Sequence, residues 1–467
     1  MMLLSEAAKA MNATLVGKDA EFISVGTDSR KVTKVQLFVA LKGDHFDGHD
    51  FAAQAIAQGA AAVIISNPNL GIASAIVVEN TYQALGVLAA YWREKFAIPV
   101  VAITGSNGKT TVKEMITAIL AAKVGSVNSI HATVGNFNNH IGLPLTLLKL
   151  SDTHQYSVIE MGMNHLGEID YLAKITKPTV ALINNAGTAH IGEVGSRDNI
   201  AKAKGEIFSG LNDSGVAIIN ADDNYAAYWK SLNIGKKIIT FGLKLVDSKQ
   251  QAEISATYVE ESGLTHLHLK TPEGVISIKL NVLGVHNISN ALAASAAAFA
   301  LGISNADIAL GLESFSGVKG RLQRKRGLHQ SILIDDTYNA NPDSMKAAID
   351  VLANQAGEKI LVLGDMGELG VDAKRMHEEI GAYAKAVGLT KLYCLGELSI
   401  EMGRGFGEGS QNYATPTAIS ENIKPLLNGD TTVLIKGSRF MRMERVVDLL
   451  EEQTNEKLEM GVLMENM

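Results

Sequence analysis

The chain has 467 residues, of which 46% are hydrophobic and 19% charged. That balance belongs to ordinary globular proteins and not to disordered or fibrous ones, and at roughly 150 residues per domain the chain should divide into about three. With 42 Lys and Arg against 49 Asp and Glu, a net charge of −7 and no long basic run, neither a nucleic acid nor an anionic membrane is an expected partner.

Residues 1–97 mix short strand-like runs, "AAVIIS" and "ASAIVVE", with a turn cluster, "KGDHFDGHD", and a helical pattern, "TYQALGVLAAYWREKF". They read as a small N-terminal α/β domain. From 98 to 316 apolar β-branched runs, "VVAITG", "YSVIEMG", "TVALINNAG" and "GVAIINAD", alternate with helical stretches. Runs of that kind suit strands covered on both faces, hence a central parallel-sheet domain. Within it, "ISATYVEE", "LTHLHLKTP" and "VISIKLNV" switch to period two around a "PEG" turn and predict an antiparallel annex. An Ala-rich helix, "NISNALAASAAAFALG", follows.

Residues 317–467 carry a second parallel series, "SILIDD", "KILVLGD", "KLYCLGE" and "TTVLIKGS", read as a C-terminal Rossmann-like domain. The fold class is therefore α/β in three domains. Ligands on such sheets bind beyond the carboxyl ends of the strands. Asp335, Asp336, Asp365, Glu397, Lys436 and Arg439 are thus expected along one edge of a cleft, although each alone also reads as a solvated strand end. The single cysteine, Cys394, lies in a strand-like run and has no partner for an internal disulfide. No basic, apolar leader or membrane-length apolar stretch is present, and a cytoplasmic monomer is expected.

The stretch "TGSNGKTT" carries the clearest chemistry. Gly105 and Gly108 permit a tight turn whose amides converge on an anion, and the helix that follows adds its positive end. Lys109 would neutralise the outer phosphates of a nucleotide, and Thr110 has the position of the hydroxyl that coordinates Mg²⁺. Only Ser106 and Asn107 separate the glycines, where the common pattern has four residues. The competing reading is a glycine turn with an incidental lysine. Glu160, at the end of "SVIEMG", is a hard oxygen donor suited to Mg²⁺, and His190 follows another strand toward the same edge. No Ser/His/Asp or Cys/His arrangement stands out.

These motifs together resemble the Mur ligase family of ATP-dependent amide-forming enzymes, whose phosphate loop has the shortened form seen here. The resemblance runs through all three inferred domains. It implies ATP bound by Gly105, Ser106, Asn107, Gly108, Lys109, Thr110 and Thr111. Asn287, Arg321, Asp336, Tyr338 and Asn339 come from "GVHNISNALAA", "GVKGRLQ" and "IDDTYNANPDSM". By the same likeness Ser29, Arg30, Asp47, Gly48 and His49 face a uridine nucleotide, and Thr133, Asn136, Asn138 and Asn139 face the sugar and lactyl-peptide portion. Gln36 stands where that pattern often has glycine. His377 after "VLGDMGELG" fits the same pattern.

Two Mg²⁺ ions are implied, held by Thr110, Glu160, His190 and Lys204, the last as a carbamate. Spacing alone favours reading Lys202 and Lys204 as solvated helix residues; only the family match to "AKGEIF" selects Lys204. Lys109, Glu160, His190, Lys204 and Arg321 form the implied catalytic set. The implied substrates are UDP-N-acetylmuramoyl-tripeptide and D-alanyl-D-alanine, joined through an acyl phosphate with release of ADP and phosphate.

Overall fold

A computed structural model describes residues 1–243, 252–261 and 264–452. Its central sheet is six-stranded and entirely parallel, in the order Lys237–Phe241, Val216–Asn220, Val180–Ile183, Val100–Thr104, Tyr156–Glu160, Ile130–Ala132. The strand Val100–Thr104 is buried throughout, as an unalternating apolar run requires. From it the chain moves first to the strands on one side, then back to Val180–Ile183 on the other. Its carboxyl end is therefore a topological switch point, where a ligand crevice is expected.

One face of this sheet packs on the helix Lys109–Val124, the Ala-rich helix Val285–Ala300 and a three-stranded antiparallel sheet. That sheet, Ser255–Glu261, Leu264–Thr271 and Gly274–Leu280, is the annex read from period-two spacing. The other face shares its core with the N-terminal segment. Leu85 and Leu88, from the helix Thr81–Glu94, lie in one cluster with Leu143, Leu147, Ile169 and Leu172. Trp92 Nε1 adds a 3.0 Å hydrogen bond to the carbonyl of Leu150. The N-terminal five-stranded sheet is thus anchored to the centre by buried apolar surface.

The C-terminal sheet has the order Gln323–Arg326, Ile332–Asp336, Thr431–Lys436, Glu358–Gly364, Leu392–Leu395, Ser410–Tyr413. All neighbours are parallel except the first pair. Cys394 is buried in its strand, and burial pushes its thiol up to about 12. His377 is also buried. Its Nε2 accepts the Met366 amide at 2.9 Å and its Nδ1 contacts the Ala373 carbonyl at 2.6 Å, so it fastens the loop after Gly364.

His131, on the edge strand of the central sheet, bonds through Nε2 to the Thr146 carbonyl at 2.8 Å. Burial holds it down at about 4; the Thr146 bond opposes that shift, and nearby His154 and Lys149 add to it. The unfolded chain therefore binds a proton that the folded one refuses, and stability falls as pH drops from about 6.5 toward 4. A thermal-melting series over that range should lose steepness in His131→Gln, by an amount equivalent to about 3 kcal/mol at full protonation.

Candidate active site

The loop between Val100–Thr104 and Lys109–Val124 is built by asparagines from three directions. Gly108 sits at φ 80°, a left-handed conformation suited to glycine, and a Cβ there would meet the side chains of Asn184 and Asn290. Asn184 Nδ2 bonds both the Asn107 carbonyl and Asn290 Oδ1 at 2.9 Å, and Asn185 Oδ1 accepts the Asn107 amide at 2.9 Å. The Ser106 amide donates to the Asn185 carbonyl at 3.0 Å, and Ser106 Oγ accepts the Gly187 amide at 2.9 Å. These contacts fix the loop before any ligand arrives.

Lys109 opens the helix and donates to the Gly105 carbonyl at 2.7 Å. Desolvation lowers its pKa, Glu160 and Glu368 oppose that shift, and Arg321 adds to it. Glu160 ends the neighbouring strand and is 3% exposed. Its carboxylate accepts Thr110 Oγ1 at 2.9 Å and Asn138 Nδ2 at 2.8 Å. The Thr110–Glu160 oxygen separation equals the edge of an octahedron with metal–oxygen bonds of about 2.1 Å, so the pair fits Mg²⁺. Among the described residues no group of three or more His, Cys, Asp or Glu forms a metal cage. Mg²⁺ normally takes one or two carboxylates plus substrate phosphates.

The C-terminal sheet closes over this loop. Arg321 Nη2 donates to Thr110 Oγ1 at 3.0 Å, and its guanidinium lies 4.2 Å from the Tyr338 ring centre. Its buried Nε has no acceptor among the described residues. Asn341 Nδ2 reaches Asn107 Oδ1 at 2.7 Å, and Asp343 accepts the amide and hydroxyl of Thr188 at 2.7 and 2.9 Å. His190 Nδ1 is 2.7 Å from the carboxylate of Glu368. Together these surfaces enclose a cleft of about 710 Å³.

Ser106, Asn107, Gly108, Lys109, Thr111, Asn136, Asn138, Asn139, Glu160, His190, Asn287, Arg321, Asp336, Tyr338 and Asn339 all line it. Gly105 is buried beneath the loop, and Thr110 reaches the site through its bonds to Glu160 and Arg321. Lys204 is 2% exposed behind the cleft. Desolvation, then the charge of Lys109, depress its pKa well below the ordinary lysine value, with Asp223 opposing.

Other expectations need correction. Thr133 does not face the cleft: it is 1% exposed, its hydroxyl accepts the Glu160 amide at 2.9 Å and its carbonyl accepts the buried Lys113 ammonium at 2.6 Å. It supports Glu160. Of the six strand-end groups only Asp336, Lys436 and Arg439 line the cleft, Lys436 pairing with Asp336 at 2.5 Å. Asp365 instead accepts the amides of Glu397, Leu398 and Ser399, and Asp335 is buried with its carboxylate on Thr337 and Lys325. Glu397 contributes its amide to that turn.

Ser29, Arg30, Asp47, Gly48 and His49 lie in two short 3₁₀ turns of the N-terminal segment, outside the cleft. Arg30 is paired with Asp28, which its guanidinium holds at about 2. Asp47 bonds His49 Nδ1 at 2.6 Å, and His49 Nε2 accepts the Ser66 amide at 2.9 Å.

Three family models cover the chain: Mur ligase family, catalytic domain, over residues 21–93; Mur ligase middle domain over 103–298; and Mur ligase, glutamate ligase domain, over 320–439. An Escherichia coli protein named UDP-N-acetylmuramoyl-tripeptide–D-alanyl-D-alanine ligase is 42% identical over 96% of this chain and 98% of its own. The chain belongs to the Mur ligase family.

As a Mur ligase it is an ATP-dependent enzyme that forms an amide bond. A Bacillus subtilis relative of the same name is 38% identical over 91% of this chain and 93% of its own. The crystal structure of MurF from Acinetobacter baumannii superposes with a TM-score of 0.88 at 37% identity, covering 95% of this chain and 98% of that one. The MurF ligase from Thermotoga maritima, solved in complex with ADP, gives 0.82 at 28% identity, covering 91% and 96%.

Proposed function

We propose that this Mur ligase joins D-alanyl-D-alanine to the terminal carboxylate of UDP-N-acetylmuramoyl-tripeptide, in the cytoplasm and as a monomer, to complete a peptidoglycan precursor for the cell wall. The observation that carries the reading is the convergence of Lys109, Thr110, Glu160 and Arg321 at a switch-point crevice closed by a second sheet. The full-length relatives named for this reaction support it.

An oxygen of the tripeptide carboxylate attacks the γ-phosphorus of ATP, and the bond to the β-phosphate oxygen breaks to release ADP. The acyl phosphate formed is attacked at its carbonyl carbon by the free amine of D-alanyl-D-alanine. Phosphate leaves with the former carboxylate oxygen, and the nitrogen loses its remaining extra proton. Two anions meet in the first step, so Lys109 and Arg321 offset charge where it accumulates. Thr110 and Glu160 would hold a Mg²⁺ ion, which supplies further charge neutralisation at the phosphates.

His190 is assigned to a second ion. Lys204 fits that ion only after carbamylation, because an ammonium would repel it; burial and the charge of Lys109 both shift it toward the neutral amine that takes up CO₂. Asn136, Asn138 and Asn139 border the acyl acceptor, while Asn287, Asp336, Tyr338 and Asn339 border the nucleotide. Ser29, Arg30, Asp47, Gly48 and His49 are assigned to the uridine end on the N-terminal domain, 1–97; the central domain is 98–316 and the C-terminal one 317–467. Docking of the C-terminal sheet keeps water from the acyl phosphate.

Phosphate release should require ATP, UDP-N-acetylmuramoyl-tripeptide and D-alanyl-D-alanine together. With oxygen-18 in the tripeptide carboxylate, one label per turnover should appear in phosphate. Equal release without the dipeptide, or unlabelled phosphate, contradicts the proposal.

A further inference from the structure

The helix Pro342–Ala353 opens with a capping box: Asn341 Oδ1 accepts the Ser344 amide at 2.9 Å, and Ser344 Oγ accepts the Asn341 amide at 3.0 Å. A backbone amide can only donate, so the Asn341 side chain has one orientation, with its oxygen on Ser344 and its Nδ2 turned away. That Nδ2 donates to Asn107 Oδ1, in the phosphate loop, at 2.7 Å. Facing a donor, Asn107 must present its oxygen, which leaves its own Nδ2 as a donor for another partner. Asn107 lines the cleft; its Nδ2 lies 3.5 Å from where a Cβ on Gly187 would stand and makes no hydrogen bond among the described residues. The Asn107 backbone is already held from the central sheet, its amide by Asn185 Oδ1 and its carbonyl by Asn184 Nδ2 and Asn185 Nδ2. Only its side-chain amide is left for the C-terminal domain to set. The same helix start is seated by Asp343 on Thr188, an approach that Gly187 permits, since a Cβ there would meet Asp343 Oδ2 at 2.5 Å.

We propose that Asn341 is a positioning residue for the phosphate loop: from the C-terminal domain it sets the Asn107 side-chain amide so that Nδ2 donates to a phosphate oxygen of ATP. The proposal rests on the assignment of the loop 105–111 to ATP. Ionised phosphate oxygens only accept hydrogen bonds, so a reversed amide would turn its own oxygen toward them and repel. One amide flip therefore separates a grip from a clash. The setting lasts only while the two domains are docked, so the nucleotide is held in full only in the closed molecule. A hydrogen bond to a charged acceptor is worth about 10- to 100-fold in binding.

The test uses the full-length protein and the non-hydrolysable analogue β,γ-methylene-ATP. Asn341→Ser and Asn341→Asp both keep a good helix cap while removing the donor, so their melting temperatures should stay close to the parent's. Each should raise the Kd of the analogue and lower kcat/KM for ATP by about 10- to 100-fold, with KM for D-alanyl-D-alanine little changed. Asn107→Ala should do the same, and adding Asn341→Ser to it should cost no more than about twofold further, because the one acts through the other. Full additivity of the two losses, or parental affinity in Asn341→Ser, overturns the positioning role; a loss confined to Asn341→Asp reports its added charge and overturns it equally. If Lys109→Ala weakens the analogue but Asn341→Ser does not, the positioning role is wrong and the assignment of the loop to ATP stands. If Lys109→Ala leaves the affinity intact, that assignment fails and the proposal with it.

Discussion

Replacing Lys109 with alanine is expected to lower dipeptide-dependent phosphate release by at least about 10²- to 10³-fold, the usual cost of removing one preorganised donor from a developing charge. The residue is positioned for that work by the turn at Gly108 and by its place at the start of a helix of 16 residues, whose amides point the same way. Among the described residues its ammonium donates to the Gly105 carbonyl and to no other group. The asparagine contacts to Ser106 and Asn107 do not involve Lys109, so the loop should survive the substitution with a melting temperature close to the parent's. Retained ligation in the folded variant would exclude the mechanism.

Arg321→Ala should reduce kcat by about 10²-fold with a smaller change in KM for the tripeptide. The guanidinium touches Thr110, stacks on Tyr338 and carries a buried Nε donor with no acceptor among the described residues. A buried donor left unpaired costs free energy, and an incoming phosphate oxygen would relieve it. Arg321→Lys should rescue little, because an ammonium reproduces neither the stacked plane nor the fork of donors. Steady-state kinetics on both variants check this, and a lysine variant with near-parental kcat contradicts it.

The parallel sheets were readable because their strands are buried on both faces and lose alternation, and the annex because it regains it. The edge strand Gln323–Arg326 escaped notice because "QRKR" has no apolar residue: its backbone pairs with Ile332–Asp336, and Lys325 adds an ion pair to Asp335. The phosphate loop was legible from local spacing. Its supports were not. Asn184 and Asn185 sit some 77 residues from the loop they hold, Asn290 bonds Asn184 from 106 residues away, and Asn341 bonds Asn107 across 234. The doublet "NNAG" at a strand end was the one local hint. The bond from the Glu160 amide to Thr133 was illegible for the same reason, since a threonine that carries Glu160 looks in sequence like one that meets a ligand. Glu368 lay inside a quoted motif, but only the fold brings it to His190.

The chain crosses from the central to the C-terminal sheet once, through a short turn with left-handed glycines at 317 and 320, closed by an Arg321 amide to Val318 carbonyl bond of 3.0 Å. Any swing of one sheet against the other pivots there. Points near a pivot trace short arcs and distant ones long arcs, so in such a swing Arg321 would keep its place beside Thr110 while Asp343 and Glu368 would travel.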